Sequence, residues 1–215
     1  MSKRPPSRHL DFFALMEAVG RPGCPVCRLT RQAARRWLET LFYEQVNDPA
    51  TRERLRQALG FCARHASLAA RLGDPLGWSI IAADLLGRAQ QSPAEAPVTR
   101  CPVCEHEERT ARHALATLLA HLEEPDVRAA YEQSEGLCLP HLRQALTGRR
   151  RTGKQLLEEI ELKKLAELRG ECEGFVEGSD YRQRQRLRGP EADAWRRAAR
   201  KLSGLFEEEG GKHAT

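Results

Sequence analysis

The stretch Cys24-Pro25-Val26-Cys27 is followed downstream by Cys62-Ala63-Arg64-His65, and the same two blocks return as Cys101-Pro102-Val103-Cys104 and Cys138-Leu139-Pro140-His141. Six of the seven cysteines lie in these four blocks. A C-x-x-C block together with a C-x-x-H block supplies three thiols and one imidazole, which is a complete ligand set for tetrahedral zinc. The sequence therefore predicts two Cys₃His metal sites.

The spacing within each block suits metal binding. A C-x-x-C turn lets two thiolates converge on one ion, and a C-x-x-H block does the same where it opens a helix, because positions i and i+3 share a face. We expect each site to form within one repeat. The first would use Cys24, Cys27, Cys62 and His65, and the second Cys101, Cys104, Cys138 and His141.

Zinc is the expected metal, with two ions per chain. An iron–sulfur cluster with one histidine ligand is the alternative, and a set of reduced core cysteines is the interpretation without a metal. No apolar stretch has the length of a membrane span, and the first residues lack the apolar core of a signal peptide. A cytoplasmic location is expected, with no membrane partner, and cysteines in that compartment serve as metal ligands or redox groups more often than as disulfides.

The sequence around the cysteine blocks is also duplicated. A shift of 77 positions aligns Ala34 with Ala111, Leu38 with Leu115 and Leu41 with Leu118, and after one deletion it aligns Gly60 with Gly136. Each copy predicts a long helix, a short helix and a ligand-bearing helix. The segment 92–100, rich in proline and alanine, separates the copies.

Apolar residues recur at helical spacing through most of the chain, and no strand pattern is evident. We expect an all-α fold in which the duplicated metal-binding unit, with pseudo-twofold character, precedes a helical C-terminal tail. The predicted regions are 1–91, 92–148 and 149–215. In the last region an exposed amphipathic helix is predicted from Thr152 to about Val176, followed by a glycine-rich break at 174–178 and a final helix starting near Pro190.

The order of these elements resembles a bacterial family known as domain of unknown function 6062. The resemblance extends over nearly the whole chain. It rests on the duplicated cysteine and histidine frame, on Asp180-Tyr181-Arg182, and on Glu191, Trp195, Arg196 and Ala198 in the tail. It implies the duplicated architecture and no particular activity.

Closed four-ligand zinc sites leave no position for substrate, so a binding role is favoured over an enzymatic one. The first hypothesis is a scaffold or adaptor for an unknown macromolecular partner. The second is nucleic-acid binding through the tail, where residues 181–201 carry a net charge of +6. Its candidate contacts are Tyr181, Arg182, Arg184, Arg186, Arg188, Trp195 and Arg196. The third is thiol redox chemistry at the C-P-x-C blocks.

Four further residues are of a type that could act as ligands or nucleophiles. Cys172 lies outside both sets and is expected to be half-buried, and His106 is the only substitute ligand that the sequence offers. His113 and His121 are expected to be solvated on a helix surface.

Overall fold

The computed structural model describes residues 10–72, 74–148, 152–179 and 189–204, and these residues are almost entirely helical. They form ten α-helices, one π-helical turn at Leu41–Gln45 and one 3₁₀ turn at Pro190–Asp193, with no strand among them. The predicted all-α class is therefore confirmed. The α-helices are α1 (Leu10–Val19), α2 (Pro25–Thr40), α3 (Pro49–Gln57), α4 (Ala63–Arg71), α5 (Pro75–Gln91), α6 (Pro102–His121), α7 (Pro125–Gln133), α8 (Leu139–Thr147), α9 (Lys154–Gly178) and α10 (Ala194–Ser203).

Local sequence signals account for most helix boundaries. Proline occupies the first position of α3, α5 and α7, where its missing N–H costs no hydrogen bond. The carboxylate of Asp48 accepts from the Thr51 amide at 2.7 Å and caps α3. Gly60 adopts φ +94° after α3, and its amide donates to the Leu55 carbonyl at 2.8 Å, so it ends the helix as a left-handed glycine cap.

Helix α9 corrects two expectations about the C-terminal region. The predicted glycine-rich break at 174–178 is helical, because an isolated glycine in a helix costs only about 1 kcal/mol and contacts such as Glu171–Arg197 hold α9 against α10. The helix was also expected to be exposed, but part of its N-terminal half is buried. Leu157, Ile160 and the carboxylate-bearing Glu161 are all buried.

The chain divides into two compact units whose boundaries differ from the three predicted regions. One unit combines the residues up to Leu29 with those from Ala111 onward, and the other comprises Thr30–Thr110. The segment 92–100 belongs to the second unit, because the amides of Val98 and Thr99 donate to the Gln57 carbonyl and Arg88 pairs with Glu95. The sequence repeats and the compact units are therefore different divisions of the same chain.

Each unit has its own apolar core. The first core includes Leu15, Leu118, Leu122, Leu137 and Leu157, all at most 1% exposed. The second is built around Leu38, Leu41 and Leu55, with Phe61 stacked on Trp78 at a centroid distance of 5.7 Å. Among the residues that the structure describes, no helix is both long enough and apolar enough to cross a membrane.

Gly136 is a position where the backbone of the first unit requires glycine. Its φ is +73°, and a Cβ atom there would collide with the Glu161 carboxylate. We expect Gly136→Ala to lower the free energy of unfolding by about 2–4 kcal/mol, from left-handed strain together with overpacking.

Gly170→Ala in α9 is the matched control, because nothing lies within 4 Å of a Cβ at that helical position. It should stabilise the protein by roughly 0.5–1 kcal/mol. Denaturant unfolding monitored by circular dichroism measures both changes. A neutral effect of Gly136→Ala would contradict the packing described for this loop.

Candidate metal centres

The first unit brings together Cys24, Cys27, Cys138 and His141. Cys24 directly precedes α2 and Cys27 lies in its first turn, while Cys138 is the N-cap residue of α8 and His141 lies in the first turn of α8. One donor atom from each residue falls within 4.8 Å of all the others. We call this group site 1.

The second unit brings together Cys62, His65, Cys101 and Cys104 in the same manner. Cys62 is the N-cap residue of α4 and His65 lies in its first turn, while Cys101 precedes α6 and Cys104 lies in the first turn of α6. Their donor atoms also lie within 4.8 Å of one another. We call this group site 2.

The distances between donor atoms match those around a single tetrahedral ion. Zinc bond lengths of about 2.3 Å to sulfur and about 2.0 Å to nitrogen imply edges of about 3.8 Å between two sulfurs and about 3.6 Å between sulfur and nitrogen. In site 1 the Nδ1 atom of His141 lies 3.1, 3.3 and 3.5 Å from the sulfurs of Cys138, Cys27 and Cys24. In site 2 the Nδ1 atom of His65 lies 3.4, 3.4 and 3.5 Å from the sulfurs of Cys62, Cys104 and Cys101.

The ligands pair across the repeats, which corrects the expected pairing within each repeat. Cys24 and Cys27 meet the C-x-x-H block of the second repeat, and Cys101 and Cys104 meet that of the first. Helix length gives the physical reason. After Cys27 the last 13 residues of α2 and the 5 residues of the π-helical turn carry the chain about 27 Å away, whereas the nine residues of α3 can bring it back by only about 14 Å.

A carboxylate supports the histidine of site 2. The Nε2 atom of His65 is buried, and its nearest acidic neighbour is the Glu107 carboxylate, 3.3 Å away. The angle of this contact is poorer than that of an ordinary hydrogen bond. Glu107 is held in turn by Arg64, whose guanidinium donates to it at 3.1 Å. Because Nδ1 faces the sulfurs, this contact on Nε2 fixes the ring orientation that a metal requires.

Within each site, hydrogen bonds between the thiols and the imidazole shift the pKa values of both kinds of group. Burial acts to lower the pKa of His65, but hydrogen bonds to Cys101 and Glu107 outweigh it and raise the pKa to about 9. Burial acts to raise the pKa of Cys101, but the hydrogen bond to His65 and nearby backbone amides lower it to about 6. In site 1, hydrogen bonds from Cys138 and Cys27 lower the pKa of Cys24. In each site one thiol is thereby favoured as the thiolate, whereas the pKa of Cys27 is raised by its contacts with Cys138 and Cys24, and that of Cys104 is raised to about 12 by burial and by Cys62. A bound divalent cation would favour the thiolate form of all the sulfurs.

A buried polar network positions the loop that carries Cys138. One carboxylate oxygen of Glu161 accepts from the Tyr131 hydroxyl and, at 2.7 Å, from the Leu137 amide. The other oxygen lies 2.6 Å from the Lys201 ammonium, which also donates to the Glu135 carbonyl at 3.0 Å. Glu161 and Lys201 are 0% and 7% exposed, so this is a desolvated ion pair whose remaining valences are satisfied by hydrogen bonds.

The end of α10 covers site 1. Gly204 caps this helix with φ +75°, and a Cβ atom there would lie 3.3 Å from the sulfurs of both Cys27 and Cys138. Together with Lys201, this contact makes α10 part of the site. Sequence reasoning missed Glu161, Lys201 and Gly204. For Glu161 the sequence does contain a signal. This residue follows Leu157 by four positions, which puts it on the apolar face of the helix.

The candidate nucleic-acid contacts are only partly within the described residues. Tyr181, Arg182, Arg184, Arg186 and Arg188 lie outside them, as does Asp180. Trp195 is 53% exposed, and the Arg196 guanidinium lies 4.9 Å from the centre of its ring. The neighbouring cations are engaged by carboxylates, in the pairs Arg197–Glu171, Arg200–Glu135 and Lys201–Glu161.

Among the described residues, the remaining histidines and Cys172 join neither site. His121 is 4% exposed, bonded to Glu124 at 2.6 Å and packed on Phe12, so its expected solvation is wrong. His113 is exposed and contacts Asp11 at 2.9 Å. Cys172 is half-buried on α9, as expected, and His106 is half-buried without joining a cluster of ligands.

The fold and the two sites define a helical protein with a duplicated set of Cys₃His clusters that could hold metal ions. The model of a family of unknown function, DUF6062, matches residues 9–97 and again residues 88–209, so the chain belongs to this family and carries its unit twice. The chain is also 28% identical over 171 residues to an uncharacterised 23.9 kDa protein from the xynA 3′ region of Caldicellulosiruptor sp. strain Rt8B.4. That match covers 74% of this chain and 83% of the relative. No solved structure matches the chain significantly.

The contact between Glu107 and His65 predicts a difference between the two sites. Glu107→Gln removes the carboxylate charge behind His65, and loss of such a partner typically weakens metal affinity about 10–100-fold. We expect one of two bound ions to weaken by this factor in competition titrations with a chromogenic chelator, while the other ion is unchanged.

Glu108→Gln is the matched control, because Glu108 is 43% exposed and pairs with Arg100 at the surface. It should leave both affinities at the wild-type value. Equal affinities in Glu107→Gln and the wild type would show that Glu107 does not support His65.

Proposed function

We propose that this protein binds one zinc ion at each of its two sites, that both ions are structural, and that the protein is a scaffold for a macromolecular partner. One observation carries the proposal. Three sulfurs and one Nδ1 atom converge in each site, at spacings that fit the ligand shell of a single zinc ion.

The close spacing favours a single ion over the alternative of an iron–sulfur cluster. In a polynuclear cluster the cysteine sulfurs bind different iron atoms, which separates them further than the ligands of one ion. The sulfur–sulfur distances of 3.5 Å for Cys27–Cys138 and 3.6 Å for Cys62–Cys104 fit one shared ion. A thiol redox role is also less favoured, because a dithiol pair requires neither the third cysteine nor the histidine.

The closed ligand sets favour a structural role over catalysis. Catalytic zinc keeps one position for water or substrate, whereas three thiolates and an imidazole fill the tetrahedron. Burial acts in the same direction, since Cys138 and His65 are each 1% exposed and Gly204 packs on the sulfurs of site 1. We place the protein in the cytoplasm, because six metal-binding thiols need a reducing compartment.

The scaffold role rests on the exposed apolar surface, because a closed metal site has no position at which to bind a substrate. The described surface carries large exposed apolar side chains, and two of them, Trp195 and Leu202, are seven residues apart on one face of α10. Exposed aromatic and apolar side chains of this kind serve as anchors in protein interfaces. Nucleic-acid binding is the second candidate, supported by the exposed Trp195 ring beside Arg196. Close pairing of Arg197 and Lys201 with carboxylates, at 2.6 Å each, counts against it.

Metal analysis combined with cobalt substitution tests this proposal. Protein purified without added metal should contain about two zinc ions per chain. The form loaded with Co²⁺ should display the intense d–d bands of tetrahedral sulfur-rich coordination, and added cyanide or azide should not alter them, because no coordination position is open.

Three outcomes would contradict the proposal. A shift of the cobalt bands with azide would indicate an open, catalytic site. Iron with a visible charge-transfer band would indicate a cluster protein. Retention of mixed nucleic acid that weakens steeply with salt would favour the second candidate over the protein scaffold.

A further inference from the structure

A cavity of about 260 Å³ lies in the first unit, beside site 1. Its walls are the end of α7 with the loop that follows it (residues 132–136), one face of α9 and one face of α10. Two residues of site 1, Cys24 and Cys138, line it as well. The proposed metal role does not use this cavity. Its volume suits a small molecule or ion.

Four cations from α9 and α10 line the cavity, and three of them are already well bonded. Lys164 donates to the carbonyls of Glu132 and Ser134, and Lys201 is bonded to Glu161 and to the Glu135 carbonyl. Arg197 contacts Glu171 at 2.6 Å and Asp193 at 2.9 Å. These contacts position the three side chains but use much of their donor capacity.

Arg200 differs from the other three cations. Its side chain is 19% exposed, its Nη2 atom reaches the Glu135 carboxylate only at 3.5 Å, and its Nε atom is buried without a hydrogen-bond partner in the part of the chain that the structure describes. A guanidinium carries five N–H donors in a rigid planar fork. A buried donor left without an acceptor costs about 1–3 kcal/mol, so an acceptor supplied from outside the chain would relieve that cost.

We propose that the cavity binds a small oxyanion, a carboxylate or a phosphate group, on the fork of Arg200. The planar guanidinium matches the paired oxygens of both groups. Four carboxylates, those of Glu132, Glu135, Glu167 and Glu171, also line the cavity. They offset the charge of the four cations, so the unpartnered donor of Arg200, rather than net positive charge, is the feature that would hold an anion, and the cavity volume limits the ligand to a small group.

This inference does not depend on the identity of the metal, although the cavity shares Cys24 and Cys138 with site 1. Binding is therefore measured together with the metal content of every variant. Loss of anion binding with the metals retained then reports on the cavity alone. If the wild-type protein itself held no metal, that result would count against the proposed zinc sites and not against the anion site.

The test is a titration of the full-length, metal-loaded protein with sodium phosphate and, separately, with sodium acetate at constant ionic strength. The Arg200 Nε–H signal in ¹H–¹⁵N spectra, assigned by its loss in Arg200→Gln, is the readout. At least one of the two anions should move this signal saturably. Saturation with phosphate alone identifies a phosphate site, saturation with acetate alone identifies a carboxylate site, and both together identify general oxyanion recognition.

Variants on α10 make the result specific. Arg200→Gln should weaken binding at least tenfold, measured by calorimetry, while Arg196→Gln, at the exposed Trp195 ring, should bind as the wild type does. Arg200→Lys keeps the charge beside Glu135 and removes the fork, so it should also bind more weakly, even if Arg200→Gln fails to fold. The proposal is overturned if neither anion gives a saturable shift, or if the Arg200 and Arg196 variants bind equally.

Discussion

Each Cys₃His cluster is shared between the two sequence repeats, and the rest of the structure depends on this exchange. The C-x-x-C block of one repeat and the C-x-x-H block of the other open two helices that converge on one point, so neither repeat contains a complete site. Site 1 joins residues more than 110 positions apart. Ligands so distant in the chain close long loops, and a bound ion would convert its binding energy into stability of the fold.

Site 1 also depends on buried polar contacts, one of which is made by Lys201 of the C-terminal helix α10. Glu161 bonds the amide of Leu137, next to Cys138, and its second oxygen needs Lys201 on α10. Breaking one member of such a buried pair leaves an uncompensated charge, which typically costs about 3–5 kcal/mol. Since Gly204 packs on the sulfurs of Cys27 and Cys138, α10 is part of site 1 rather than an accessory tail.

The sequence was sufficient for most of the helices and for the eight cysteine and histidine residues that cluster, because both are encoded locally. Helix boundaries follow from residues such as Pro49 and Gly60, and ligand identity follows from three-residue spacing in a chain that repeats it. Which C-x-x-C block meets which C-x-x-H block could not be predicted from local sequence, because helix lengths and tertiary packing decide it. The burial of Glu161 and Lys201 was missed for a related reason. Charged residues on a helix are normally solvated, and only the tertiary partners Tyr131 and Leu137 reveal the exception.

The crossed pairing is tested most directly by heteronuclear NMR on the intact protein loaded with ¹¹³Cd in place of zinc. Scalar coupling through the metal–sulfur bond connects each cadmium ion to the β-protons of its own cysteines. The account predicts one ion coupled to Cys24, Cys27 and Cys138, and a second coupled to Cys62, Cys101 and Cys104. Coupling of one ion to Cys24, Cys27 and Cys62 together would contradict it and would restore pairing within each repeat.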